Sequence, residues 1–405
     1  MIEFPKDFFW GAATSSYQVE GGNDNCDWWE WEARGAVKER SLDACRHYQL
    51  YNQDFDIAKS LSHNAHRLSI EWSRIQPEEG KFSEAQLNHY KDVIVSLRQR
   101  GLEPIVTLHH FTNPLWLSKK GGWKNKQAQK AFLSYVDYVV SALCTGVRYW
   151  VTINEPMVYA SHAYVFGVWP PQEKSILSLI KVVDNLAGAH IQAYKLIHKI
   201  YKNNNLACPY VSIAKNVQAF VPCRAVLKDR LAVYLRNKFY NLYFVDRVMR
   251  HKTLDFIGIN YYSRSLVEVQ HWGINNLISD VCTHNHKSLK KNYMGWDIYP
   301  QGLYEVLMQF KKYNLPLFIL ENGICTQDDN QRWEFIRDHL AHLHRSIESG
   351  CKVIGYIYWS LMDNYEWDKG FSPRFGLVEV DYNTYERKIR ESALKFSLVC
   401  KTGRL

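Results

Sequence analysis

Residues 149–156 read Tyr149-Trp150-Val151-Thr152-Ile153-Asn154-Glu155-Pro156, an apolar and β-branched run that stops on a carboxylate. Such a run needs cover on both faces, as a strand in a parallel sheet has, and functional groups collect where strands of this kind hand over to loops. The same form returns at Phe318-Ile319-Leu320-Glu321-Asn322-Gly323. In both places the residues after the glutamate turn the chain. One strand-end glutamate is as readily a structural ion-pair member as a functional group. Two in matched settings point to acid/base or nucleophilic chemistry on a neutral, oxygen-rich substrate.

On either side of these runs the pattern repeats. Eight short apolar segments occur in order, at 8–13, 66–70, 104–108, 149–154, 210–215, 254–260, 316–321 and 353–360. Each has strand length and β-branched or aromatic content. Stretches of helical period lie between most of them, at 84–100, 127–143, 183–202, 230–250 and 333–349. This alternation implies parallel pairing through helical crossovers, and eight units predict a closed (β/α)8 TIM barrel, an α/β fold, with residues 1–405 as a single domain. Glu155 then ends the fourth strand and Glu321 the seventh, on one rim with Arg67, Ser69, His109, His110, Asn260, Tyr261, Tyr262 and Trp359. No G-x-G-x-x-G follows the first strand, so a dinucleotide fold lacks support. The long polar interval 267–294 reads as an active-site loop after the sixth strand.

Composition narrows the function. With 46% hydrophobic and 22% charged residues the chain is that of a folded protein, and 14 Trp and 26 Tyr provide flat amphipathic rings for a core or for sugar faces. The net charge of +9 raises nucleic acid or an anionic membrane as partners, but the basic residues are spread through helical stretches apart from Lys287, Lys290 and Lys291. No nucleic-acid motif accompanies them, so the expected partner is a small molecule, with no nucleic acid and no membrane. Nine scattered cysteines without a C-x-x-C pair predict free thiols in a reducing compartment. The start of the chain has no basic-then-apolar leader, and there is no run of about 18 apolar residues, so a cytoplasmic location is expected. His339, His342 and His344 share a helical stretch but have no evident carboxylate or cysteine partner, which predicts a solvated face. No metal and no cofactor are expected, and the oligomeric state is left open.

Six segments carry more. They are Phe9-Trp10-Gly11-Ala12-Ala13-Thr14-Ser15-Ser16-Tyr17-Gln18-Val19-Glu20-Gly21, Arg67-Leu68-Ser69-Ile70-Glu71-Trp72-Ser73-Arg74, Asn154-Glu155-Pro156, Asn260-Tyr261-Tyr262, Glu321-Asn322-Gly323 and Trp359-Ser360-Leu361-Met362-Asp363-Asn364-Tyr365-Glu366-Trp367. In this order and spacing, over essentially the whole chain, they closely resemble glycoside hydrolase family 1, the β-glucosidase-like retaining enzymes. The resemblance implies Glu155 as general acid/base and Glu321 as nucleophile of a double displacement. It places Arg67 and Tyr262 beside the nucleophile and Asn154 near the hydroxyl next to the reacting carbon. Gln18, His110, Trp359, Glu366 and Trp367 match positions that hold the sugar. A partly desolvated Glu155 near a second carboxylate should have a raised pKa.

Glu366-Trp367 stands where the phospho-glycosidase branch carries a phosphate-binding arrangement, which favours unphosphorylated glycosides. Glucose ranks first, followed by galactose and fucose. Phe111 replaces the tryptophan found in many relatives after the histidine. The chain is also short around residues 250–254, where the family has an extended loop taken to wall the leaving-group side, and this predicts a more open pocket. An open side keeps transglycosylation on the same site as an alternative. A catalytically weakened sugar-binding barrel is the rival of a different class.

Overall fold

The computed structural model describes residues 2–270, 282 and 290–405. Eight parallel strands run around a closed barrel in sequence order: β1 (Phe9–Ala13), β2 (Ala65–Ser69), β3 (Glu103–Thr107), β4 (Tyr149–Asn154), β5 (Tyr210–Pro222), β6 (Ile257–Val267), β7 (Leu317–Asn322) and β8 (Val353–Trp359). β8 closes on β1, with Trp359 opposite Ala13. The expected (β/α)8 barrel is therefore the fold. Alternation along each strand divides the core in two. Ala65, Ile105, Val151, Ala214, Phe318 and Ile357 fill the barrel, whereas Trp150, Val211, Ile213 and Ile319 pack against the helices. The helix Gln127–Leu143 shows the complementary period, burying Phe132, Tyr135, Val136, Val139, Val140 and Leu143 on one face.

Two departures from the sequence expectation shape the site. β5 runs on to Pro222 and β6 to Val267, because the two strands keep pairing above the rim, from Ala219 opposite Arg264 to Pro222 opposite Val267, after a register shift. The polar residues Gln218 and Ser265 interrupt the apolar runs there, so the sequence pattern ends early. The helical stretch expected at 230–250 is broken into Leu227–Arg236, a wider π turn at Asn237–Leu242, and Tyr243–Met249. The wide turn aims Asn241 at β5, where it accepts from the Gln218 N–H at 3.1 Å and donates to the Gln218 carbonyl at 2.8 Å.

Three further expectations are corrected. Residues 250–256 enter β6 at its N-terminal end, since a helix-to-strand connection in a barrel must arrive there. Asp255 binds the Val211 N–H at the start of β5, at 2.8 Å through Oδ2. The short connection is thus on the face opposite Glu155 and Glu321 and cannot open a leaving-group wall. Cys223 and Cys282 form a disulfide, so the thiols are not all free, although seven others are. His339 is fully buried, stacked on Phe335 and hydrogen-bonded to its carbonyl at 2.8 Å, while His342 and His344 are half-buried. Their helix turns part of this row inward rather than into solvent. Most of the expected loop at 267–294, with Lys287, lies outside the described residues. No described helix is long and apolar enough to cross a membrane.

Candidate active site

The C-terminal ends of the strands surround a cavity of about 820 Å³. All the expected site residues line it except Arg67, which lies beneath its floor. Arg67, on β2, is only 1% exposed and uses its guanidinium across four strand ends. Nε donates to Thr107 Oγ1 on β3 at 3.1 Å, Nη2 to Asn154 Oδ1 on β4 at 2.7 Å, and Nη1 to the Leu320 carbonyl at 3.3 Å and to Glu321 Oε1 on β7. A buried cation needs this degree of satisfaction. The other oxygen of Glu321 accepts from the Tyr262 hydroxyl at 2.6 Å. Burial and the Glu321 charge push the Tyr262 pKa well above its ordinary value, so the phenol remains a donor. Gly323 follows because β7 meets β8 closely here: a Cβ would fall 1.9 Å from the Trp359 carbonyl oxygen.

Glu155 is held differently. Its backbone is left-handed, with φ 43° and ψ 58°, a conformation that costs a non-glycine residue energy and must be imposed by its surroundings. Its N–H donates to the Ala214 carbonyl at 2.8 Å, and Pro156 then starts the helix Pro156–Ser161. Asn260 Nδ2 donates to Glu155 Oε1 at 2.8 Å and Asn216 Nδ2 to the same oxygen at 3.1 Å. Burial, followed by the Glu321 charge, raises the Glu155 pKa from 4.5 to about 7 against the pull of the two amides and Lys215. The two carboxyls therefore differ in partners as the sequence expectation required.

On the far side of the cavity Gln18 Nε2 donates to Glu366 Oε2 at 3.2 Å and to Asn364 Oδ1 at 3.0 Å. Burial, then the Glu321 charge, lifts the Glu366 pKa to about 8. His110 Nε2 meets Asn154 Nδ2 at 3.2 Å, and its ring lies nearly parallel to both Trp359 and Trp367. Burial and the Arg67 charge hold the His110 pKa well below its usual value, leaving a neutral imidazole. Phe111 packs its ring on Trp169 and Trp367 as part of the apolar wall. His109 is buried beside Trp123 and meets Asn113 Oδ1 at 3.1 Å, a packing role.

Sequence reading missed Asn216 and Gln218 on β5, Tyr240 on the wide helical turn, and Trp296, all of which line the cavity. Asn260 stands in the sequence as a polar strand end and as part of the Asn260-Tyr261-Tyr262 segment, without an assigned role. A signal existed for Asn216, because the fifth apolar run was ended one residue before it. None existed for Tyr240, whose place depends on the π turn.

The profile of Glycosyl hydrolase family 1 matches residues 1–252 and 249–404. β-Glucosidase A of Thermotoga maritima is 32% identical over 100% of this chain and 99% of the relative, and β-galactosidase of Pyrococcus woesei is 30% identical over 96% and 95%. Among solved structures, the β-glycosidase from Pyrococcus horikoshii superposes with a TM-score of 0.94 at 41% identity, covering 100% of this chain and 96% of the other. The Thermotoga maritima β-glucosidase in complex with glucoimidazole gives 0.91 at 30%, with both chains covered completely. With its barrel, its rim of paired glutamates and these full-length matches, the chain belongs to glycosyl hydrolase family 1.

Proposed function

We propose that this protein is a retaining β-glycosidase acting on small unphosphorylated β-glycosides, with β-glucosides first and β-galactosides or β-fucosides next. The observation that carries the reading is the pair of buried glutamates facing one cavity, one ion-paired to Arg67 and the other held by amides with its pKa raised to about 7. Relatives named β-glucosidase and β-galactosidase support the substrate class.

In the first step Glu321 attacks the anomeric carbon as the bond to the leaving oxygen breaks, and Glu155 gives that oxygen its proton. In the second, water attacks the same carbon, returns a proton to Glu155 and frees Glu321. Arg67 and the Tyr262 hydroxyl hold the carboxylate of Glu321 aligned, and Asn154, tied to Arg67 and His110, faces the sugar hydroxyl beside the reacting centre. Gln18, His110 and Glu366 orient the remaining hydroxyls, while Trp359 and Trp367 cover the C–H faces. Unphosphorylated sugars are preferred because Glu366-Trp367 stands where the phospho-glycosidase branch carries its phosphate-binding arrangement. Initial rates on aryl β-glycosides of glucose, galactose, fucose and 6-phosphoglucose, with the first product's anomer followed by NMR, test the reading. A β-configured first product is expected. An α-configured product, or binding without turnover, would refute it.

A further inference from the structure

Along β5 Val211, Ile213 and Lys215 alternate with the barrel-facing residues, an apolar row that ends in a lysine. Lys215 is fully buried, does not line the cavity, and makes no ion pair among the described residues. Its ammonium lies 4.5 Å from the centroid of the Tyr240 ring and donates to the Asn216 carbonyl. The Tyr240 hydroxyl donates to Asn216 Oδ1 at 2.8 Å, which leaves Asn216 Nδ2 aimed at Glu155 Oε1, 3.1 Å away. The residue before Lys215 supplies the carbonyl that binds the Glu155 N–H at 2.8 Å. Ammonium, ring, amide and carboxyl thus form one chain of contacts that starts behind the cavity wall and ends at its surface. A buried ammonium is unfavourable unless something uses it. Packing alone would be met by an apolar side chain in this row.

We propose that Lys215 is a positioning residue for Glu155: it fixes Tyr240 and Asn216, which orient the carboxyl, and its charge supports the ionised form of Glu155 that must receive a proton in the second step. This rests on the acid/base role proposed for Glu155 above. The charged and titratable groups around Glu155 are Lys215 on β5, Tyr240 on the wide turn, Tyr262 on β6, Glu321 on β7 and Glu366 after β8, with Arg67 reaching it through Asn154. Those around Lys215 are Glu155 and Tyr240. Burial lowers the Lys215 pKa to about 7, against the opposing pull of Glu155.

The test is a ¹³C NMR titration of the Glu155 carboxyl, assigned with Glu155→Gln, in the wild type, Lys215→Met and Lys215→Arg, alongside pH profiles of kcat/KM on an aryl β-glucoside. Lys215→Met should raise the Glu155 midpoint by about half a pH unit or more, move the alkaline limb the same way, lower kcat more than it changes KM, and leave the thermal midpoint equal or higher. Lys215→Arg should restore the wild-type titration. An unmoved Glu155 midpoint in the folded Met variant, or equal losses in Met and Arg, would overturn the proposal. Should the Met variant not fold, Tyr240→Phe carries the test: loss of the hydroxyl should free the Asn216 amide and raise the same midpoint, and an unmoved midpoint counts against it. A wild type that turns over no β-glycoside while the titration still shifts would refute the functional reading and leave the positioning intact. Turnover with an unmoved titration would do the reverse.

Discussion

Glu321 and Glu155 end two strands of one barrel and face one cavity, yet the first meets a guanidinium and a phenol while the second meets two amides. A guanidinium and a charged carboxylate stabilise each other directly, whereas neutral amides orient a carboxyl and favour its charged form less strongly. The same residue type is thereby given two tasks by its neighbours. Glu321 is held by a cation and a hydroxyl donor in place to attack, and Glu155 is set to exchange a proton near neutrality.

Removing the attacking group should have the largest effect. Glu321→Ala is expected to lower kcat by roughly four orders of magnitude or more, with azide restoring turnover and giving an α-glycosyl azide. Unchanged hydrolysis in that variant, by a coupled glucose assay, would erase the distinction between the two glutamates.

Glu155→Gln comes next. A loss on the order of 10²–10⁴ is expected for poor leaving groups and far less for an activated aryl group, with the alkaline limb lost. The stability sign also follows. The folded pKa of Glu155 is raised from 4.5 to about 7, so its contribution to stability is present below about pH 4.5 and is lost as pH rises through 7. The thermal midpoint of Glu155→Gln relative to wild type should therefore climb between pH 4.5 and 7 and then level off. A flat difference in calorimetry would show that Glu155 is not held protonated by burial.

The smallest change sharpens the comparison from the amide side. Asn260 joins Glu155 to Asn154, donating at 2.8 Å and 3.2 Å. Asn260→Ala should reduce kcat/KM on the order of tenfold and move the alkaline limb upward, because a donor to the ionised carboxyl is lost. A downward shift of that limb in a pH–rate profile would contradict the role of the amide.

Much of the site was legible because strand ends are local features. Glu155 and Glu321 could be seen where apolar runs stopped, and the runs at 149–154 and 353–360 lie within a residue of β4 and β8. Arg67, Tyr262 and the sugar-facing residues needed the family pattern, since a lone His110 or Trp359 reads as core. The leaving-group wall was misplaced. The short connection near residue 250 lies on the face away from the chemistry, while the pairing of β5 with β6 is what extends above the rim. The disulfide was invisible for a related reason, as Cys223 and Cys282 are 59 residues apart and their pairing depends on how β5 and the segment after β6 come together.

By itself the sequence determined the eight strands, their order and the rim on which both glutamates stand, because strand length, alternation and parallel crossovers are written in residue type and spacing. Only the tertiary structure decided the partners: Arg67 joined to Glu321 across the barrel, Tyr240 brought to Asn216 by a wide helical turn, and Lys215 set beneath them in an apolar row. Charge state and orientation come from groups far apart in the chain, and barrel closure is what brings them within hydrogen-bonding distance.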